Sequence, residues 1–227
     1  MILPFGAVAN SAEAFLDKAK PGSDHQLQYA RAFTNNAVTP EQFARLQAML
    51  DGAVEGLTID ADLRWYIFLC GVKRGIYGPT EIAAEGERDK TAHGKQYVAF
   101  AHAAIPNREA KAAAFKSVTT DDLSNTIHSY KCRGFNESIH GDLLEGFVDE
   151  YFDAILKVWN TKGFEIAETT ATLMFPTWAI SEATVAKAQH WLDVTGKDAS
   201  HALRRSVTEG RDAMTRALKA RAVDATR

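Results

Sequence analysis

Two cysteines in 227 residues, Cys70 and Cys132, are too few and too far apart for a disulfide framework or a short-spaced metal knuckle. Both fall in helical stretches, so the reading is two reduced, buried thiols and a cytoplasmic setting. None of the seven histidines is followed by glutamate, which removes the H-E-x-x-H motif of helical metallopeptidases. Glu137-Ser-Ile-His140 is a single Glu-x-x-His, whereas a di-iron bundle needs two such motifs and two further glutamates. A nucleophile elbow, a Walker A loop and G-x-G-x-x-G are also missing. No apolar run approaches the roughly 20 residues of a membrane span. The net charge of −3 gives no general attraction to nucleic acid or anionic membrane. The start, Met-Ile-Leu-Pro-Phe-Gly-Ala-Val-Ala, has no basic region before Lys18 and so is not read as a secretion signal.

Alternating β-branched runs are scarce too, and what remains is helical almost throughout. With 46% hydrophobic and 24% charged residues the chain has the mix of an ordinary globular protein. Ser11 is placed to cap a short helix ended by Pro21-Gly22, and a second helix fits 24–36. Thr39-Pro40-Glu41-Gln42 is a near-complete helix start: a threonine cap, proline at the first helical position and glutamine to close a capping box. From Asp60 to Val72 the apolar residues fall on two stripes, Leu63, Tyr66, Ile67 and Cys70 against Trp65, Leu69 and Val72, so this helix is to be covered on two sides. Thr80 is expected to cap the helix after Pro79, and Asn107 the alanine-rich helix after Pro106. Asp60-x-Asp62 and Asp121-Asp122 are paired carboxylates; at helix starts their ordinary work is to meet free amides rather than to move protons.

Residues 132–141 are the least periodic stretch after the N-terminus. The longest amphipathic helix is predicted to follow, with Leu144, Phe147, Val148, Tyr151, Ile155 and Trp159 in register. Helices are also expected over 164–174 and 182–194 and from Ser200 to about Arg221. That last one carries a basic face against an apolar stripe of Leu203, Val207, Gly210, Met214 and Leu218. Its arginines read either as a solvated face or as recognition of carboxylates. Short helices with tight connections give an all-α class, an α-solenoid of stacked helix pairs of the HEAT or armadillo kind, with a globular helical bundle as runner-up. Residues 1–22 are read as a partial helix left from a longer parent or a non-native start, and 23–227 as one helical-repeat domain.

Several short motifs together carry a resemblance. Asp62-Leu-Arg-Trp65 with its apolar helix comes first, then Glu87-Arg-Asp89-Lys-Thr91-Ala-His-Gly94 and Ala103-Ala-Ile-Pro106 with Lys111. Gly134-Phe-Asn136, Leu143-Leu144, Tyr151-Phe152 through Trp159, Ala202-Leu-Arg-Arg205 and Glu209-Gly-Arg-Asp212 follow in order. The chain resembles the C-terminal helical domain of zinc aminopeptidases of the aminopeptidase N (alanyl/lysyl) type, in its actinobacterial branch. The resemblance implies a helical bowl that closes over a separate catalytic domain, shapes its chamber and limits which peptides enter. The zinc ligands, the general-base glutamate and the amine-gripping Gly-x-Met-x-Asn element belong to that other domain, so no catalytic residue and no metal ligand carries over.

The expected cofactor of this chain is accordingly none, with zinc in the parent's catalytic domain. The expected partners are that domain and peptides. Candidates for lining the peptide channel are Arg133, Phe135, Asn136 and His140 in the irregular segment and Arg205 and Arg211 near the end. A free-standing helical-repeat scaffold for protein interactions is the alternative function.

Overall fold

The computed structural model describes residues 5–225, and among them the regular elements are thirteen α-helices and one 3-10 turn, with no strand. The first four residues of the expected N-terminal partial helix lie outside the described residues. The chain divides into two compact units, one ending at Asp89 and one beginning at Lys90.

In the first unit α1 (Phe5–Lys18) packs along α2 (Asp24–Asn36), and α2 and α3 (Pro40–Leu50) pack on α4 (Ala61–Lys73). Helix α1 runs well N-terminal of Ser11, which sits mid-helix with its hydroxyl donating to the Ala7 carbonyl at 3.0 Å instead of capping. Thr39 does cap α3. Its hydroxyl accepts from the Gln42 amide, while Gln42 Oε1 accepts from the amides of Thr39 and Val38. The other end of the Gln42 amide donates to Asn10 Oδ1 at 2.8 Å, so the cap also ties α3 to α1. Leu16, Phe33, Leu46 and Met49 form the core of this unit with Leu63 and Ile67 of α4.

Helix α4 starts on Asp60, whose carboxylate accepts from the Leu63 amide at 2.8 Å, and it is covered on two sides. Leu63 and Ile67 face the core just named, and Trp65, Phe68, Leu69 and Val72 are buried as well. Tyr66, expected on a buried stripe, keeps 40% of its surface exposed. Trp65 Nε1 donates to Asp89 Oδ2 at 2.8 Å, and Arg64 grips the buried Glu85 with two hydrogen bonds of 2.6 and 2.8 Å. That fork pairs the buried Glu85 of α5 (Pro79–Arg88) with a cation through two hydrogen bonds. The cap of α5 is Gly78, not Thr80: Pro79 takes the first helical position and the Glu81 carboxylate reaches back to the Gly78 N–H at 2.8 Å.

The second unit holds α6 (Ala92–Ala104), α7 (Arg108–Thr120), α8 (Asn125–Phe135), the 3-10 turn Ser138–His140, α9 (Gly141–Leu144), α10 (Phe147–Thr161), α11 (Phe164–Leu173), α12 (Glu182–Asp193) and α13 (His201–Asp224). Most of its contacts run between helices one or two places apart: α6 on α7 and α8, α7 on α8, α10 on α11 and α12, α13 on α11 and α12. That is the local stacking of helix pairs found in helical-repeat proteins. Its core is rich in aromatics, with Phe115, Phe135, Phe147, Tyr151, Phe152, Phe175 and Trp191 all buried. Tyr151 is wholly enclosed and donates its hydroxyl to the Ala171 carbonyl at 2.7 Å, so its polar tip carries no penalty.

Three expectations are corrected here. Asp121-Asp122 does not start a helix: Asp121 closes α7, held by the hydroxyls of Ser117 and Thr120, and Ser124 caps α8 instead. The 144–159 helix is interrupted at Gly146, which separates α9 from α10. The longest helix among the described residues is α13, at 24 residues.

Candidate functional site

The segment carrying most of the predicted lining residues is positioned by one buried cation. Pro106 stops α6 and the Asn107 side chain accepts from the Ala110 amide to start α7. One turn into α7, Lys111 is fully buried, and its ammonium donates to the carbonyls of Ala103 at 2.8 Å and of Gly134 and Phe135 at 3.0 Å each. These are last-turn carbonyls of α6 and α8, which lack partners within their own helices and carry the negative end of the helix dipole. The ammonium also lies 5.7 Å from the centre of the Phe135 ring. Gly134 makes the approach of α8 to α6 close. A Cβ there would stand 2.3 Å from the Phe100 carbonyl oxygen and 3.1 Å from Ala103 Cβ.

Stapled in this way, α8 continues through Phe135, although 132–141 reads as irregular in the sequence. Helical register then sorts the predicted residues. Arg133 is exposed, with its guanidinium 5.9 Å from the Tyr130 ring centre. Phe135, one turn on from buried Cys132, points into the core, where Phe115, Phe147 and Trp178 surround it at ring distances of 5.1 to 5.8 Å. Asn136 is half-buried and its amide donates to the Leu173 carbonyl at 2.7 Å, joining the end of α8 to α11. His140 closes the 3-10 turn and is buried. Of the four, Arg133 presents its side chain outward while Phe135 and His140 are turned inward.

The two remaining candidates belong to another layer, since α13 packs on α11 and α12. Arg205 is exposed and bonded to Glu209 one turn along at 2.7 Å, which raises its affinity for its proton. Arg211 is half-buried, pairs with Asp212 at 2.7 Å and donates to Gln189 Oε1 of α12, so it staples two helices. Gly210 lets the Phe175 ring lie against α13, since a Cβ would meet that ring at 2.7 Å.

The buried titratable groups belong to packing. His128 lies between the Val118 carbonyl at 3.1 Å and Thr170 Oγ1 at 3.0 Å, and burial holds its imidazole below the usual range. Burial likewise pushes the Cys132 thiol up to about 12, which keeps it protonated and unreactive. Among the described residues no three His, Cys, Asp or Glu side chains converge as a metal ion would require. An open groove between α10 and α12 is marked by no motif. Its residues, from Asp149 to Asp153 and from Ala186 to Thr195, are brought together only by packing.

The fold and this inventory define an all-helical protein whose buried polar groups hold helices together. Residues 5–216 match the family described as ERAP1-like C-terminal domain. The chain belongs to that family. It is 41% identical over 215 residues to aminopeptidase N of Streptomyces lividans, an overlap that takes in 93% of this chain and 25% of that protein. The chain thus spans about a quarter of the length of that relative.

Proposed function

We propose that this chain is the non-catalytic helical part of a zinc aminopeptidase: it closes the chamber over a separate metallopeptidase body and controls which peptides reach it. The observation that carries the reading is the match to the ERAP1-like C-terminal domain family over residues 5–216, together with the name of the relative. The chain's own residues do not fit a zinc site. No histidine precedes a glutamate, and among the described residues no three metal-ligating side chains converge. On this reading the zinc and the hydrolytic step belong to the partner body, and the contribution of this chain is shape and charge around the peptide. A cytoplasmic setting is part of the proposal and agrees with two cysteines that no disulfide joins.

The test is reconstitution. The purified chain alone should neither bind stoichiometric zinc nor hydrolyse aminoacyl-nitroanilides. Added to a metallopeptidase body from the same genome that lacks a helical cap, it should change the ratio of hydrolysis of long peptides to that of the small anilide. Turnover by the chain alone with one bound zinc, or a body whose preference is untouched by saturating chain, would refute the reading.

A further inference from the structure

Helices α1 and α2 leave an open groove of about 380 Å³ beside the turn that joins them, space for one large side chain with its own backbone. Phe15 and Tyr29 form an aromatic wall, stacked with their ring centres 5.3 Å apart, and His25 continues the row at 6.2 Å from Tyr29. Phe15 keeps 55% of its surface exposed. A single exposed phenylalanine is ordinary, but two stacked rings lining one concavity give an apolar surface with a shape to fit. Lys18 and Lys20 line the same groove.

The charge of the groove is one-sided, and packing makes it so. Glu13 and Asp17, one turn apart on α1, are both drawn to Arg45 of α3, at 3.6 and 2.7 Å. Phe15 and Lys18, three positions apart, share a different face of α1. Asp24, next to His25 in the chain, does not line the groove. Lys18 and Lys20 make no ion pair among the described residues. The backbone beneath them is also fixed. Gln26 is 3% exposed; its Oε1 accepts from the Gly22 N–H and its Nε2 donates to the Glu55 carbonyl, each at 2.9 Å. Ser23 caps α2 by accepting from the Gln26 amide at 3.2 Å. A turn held in this way is ordered before any ligand arrives, which lowers the ordering cost of binding.

We propose that this groove docks an acidic segment of another polypeptide through an aromatic residue flanked by carboxylates. The aromatic side chain packs on Phe15 and Tyr29, and the flanking carboxylates meet Lys18 and Lys20. Charge complementarity selects this occupant. Two unpaired ammonium groups match one or two carboxylates, whereas the chain as a whole carries −3 and offers a dense polyanion such as nucleic acid no further attraction. An aromatic residue draws most from a wall of rings, because ring pairs gain beyond the area they bury. The docking surface holds whether or not the chain caps a peptidase.

The experiment is titration of the full chain, with no catalytic body present, by the blocked tripeptide acetyl-Glu-Phe-Glu-amide, followed by calorimetry and NMR shifts. It can therefore fail while reconstitution succeeds, or the reverse. The tripeptide should bind with a dissociation constant on the order of 1 mM, weakening as salt is raised, and should shift the signals of Phe15 and Tyr29. Its Glu-Ala-Glu counterpart should bind about tenfold more weakly for want of the ring. Lys18→Gln and Lys20→Gln should each weaken the parent peptide about threefold, and Phe15→Ala about fivefold. All three side chains are exposed, so the helical circular dichroism should be unchanged. Lys-Phe-Lys binding as tightly as Glu-Phe-Glu, the alanine peptide matching the phenylalanine one, adenosine monophosphate binding more tightly than either, or indifference to all three substitutions would overturn the proposal.

Discussion

Replacing Lys111 by methionine keeps the unbranched stem of the side chain and deletes only its ammonium. Three carbonyls, those of Ala103, Gly134 and Phe135, then lose a donor at 2.8 to 3.0 Å inside the protein. A buried acceptor stripped of its partner costs about 1–3 kcal/mol, so the gross loss is about 3–9 kcal/mol. Set against it is the desolvation of a buried ammonium, worth several kcal/mol, which the variant no longer bears. The attraction of a cation to two helix C-termini, about 0.5–1 kcal/mol each, is lost as well. The net expectation is destabilisation by about 3 kcal/mol, or a fall in melting temperature of about 10 °C for a protein of this size. Urea titration followed by tryptophan fluorescence and far-UV circular dichroism gives the free energy. Hydrogen exchange should show the loss concentrated in the last turns of α6 and α8. Lys111→Arg should also destabilise, since the site is fully buried and shaped to an ammonium rather than to a planar fork. A methionine variant within about 0.5 kcal/mol of the parent would refute the assignment of Lys111 as the staple of these helix ends.

Two further outcomes follow from the same unit. Gly134→Ala forces a methyl to within 2.3 Å of the Phe100 carbonyl oxygen, a backbone atom that cannot swing aside, and should cost about 2–3 kcal/mol in urea titration. Gly146→Ala meets nothing within 4 Å in a right-handed helical conformation and should instead stabilise by about 0.5–1 kcal/mol, giving a paired control in the same assay. His128 should make stability depend on acid. Its folded-state affinity for a proton lies below the ordinary 6.5, through burial first and the nearby Lys162 and Lys131 in addition. The unfolded chain therefore binds the proton that the folded chain refuses. Stability should be full above about pH 6.5 and fall as pH drops below it, with a slope of at most about 1.4 kcal/mol per pH unit from this residue. Thermal melts from pH 7.5 to 5 should show that slope, and His128→Gln should reduce it; His102, also held low by burial and Lys131, adds to the slope with the same sign, so the double substitution should flatten it further.

The helical class, several helix starts and the family likeness were legible in the sequence because each depends on a few residues close along the chain. Thr39, Pro40 and Gln42 lie within one turn, and so do Asp60 and Leu63, Asn107 and Ala110, and Ser200 and Leu203. Local geometry alone decides such contacts. Where two local solutions competed, sequence could not choose. Gly78 with Glu81 took the start of α5 from Thr80, and Ser124 took the start of α8 from Asp121. The break at Gly146 is a case of the same kind, since an apolar period running from Leu144 to Trp159 carries no mark of where the helix is interrupted.

Tertiary structure alone decided what the polar residues do. Lys111 is one lysine among many until α6 and α8 bring three carbonyls to it from 8 to 24 residues away. Arg211, a candidate for binding peptide carboxylates, has Asp212 beside it in the sequence, but only packing brings Gln189 of α12 to it. Phe135, a candidate for lining a channel, is buried, because α8 runs on to it and faces it inward. Asp149 and Lys187, 38 positions apart, share no pattern in the chain and pair only because α10 packs on α12. Short-range hydrogen bonding sets the elements, whereas desolvation sets the role of each charge, and desolvation is known only once the helices have packed.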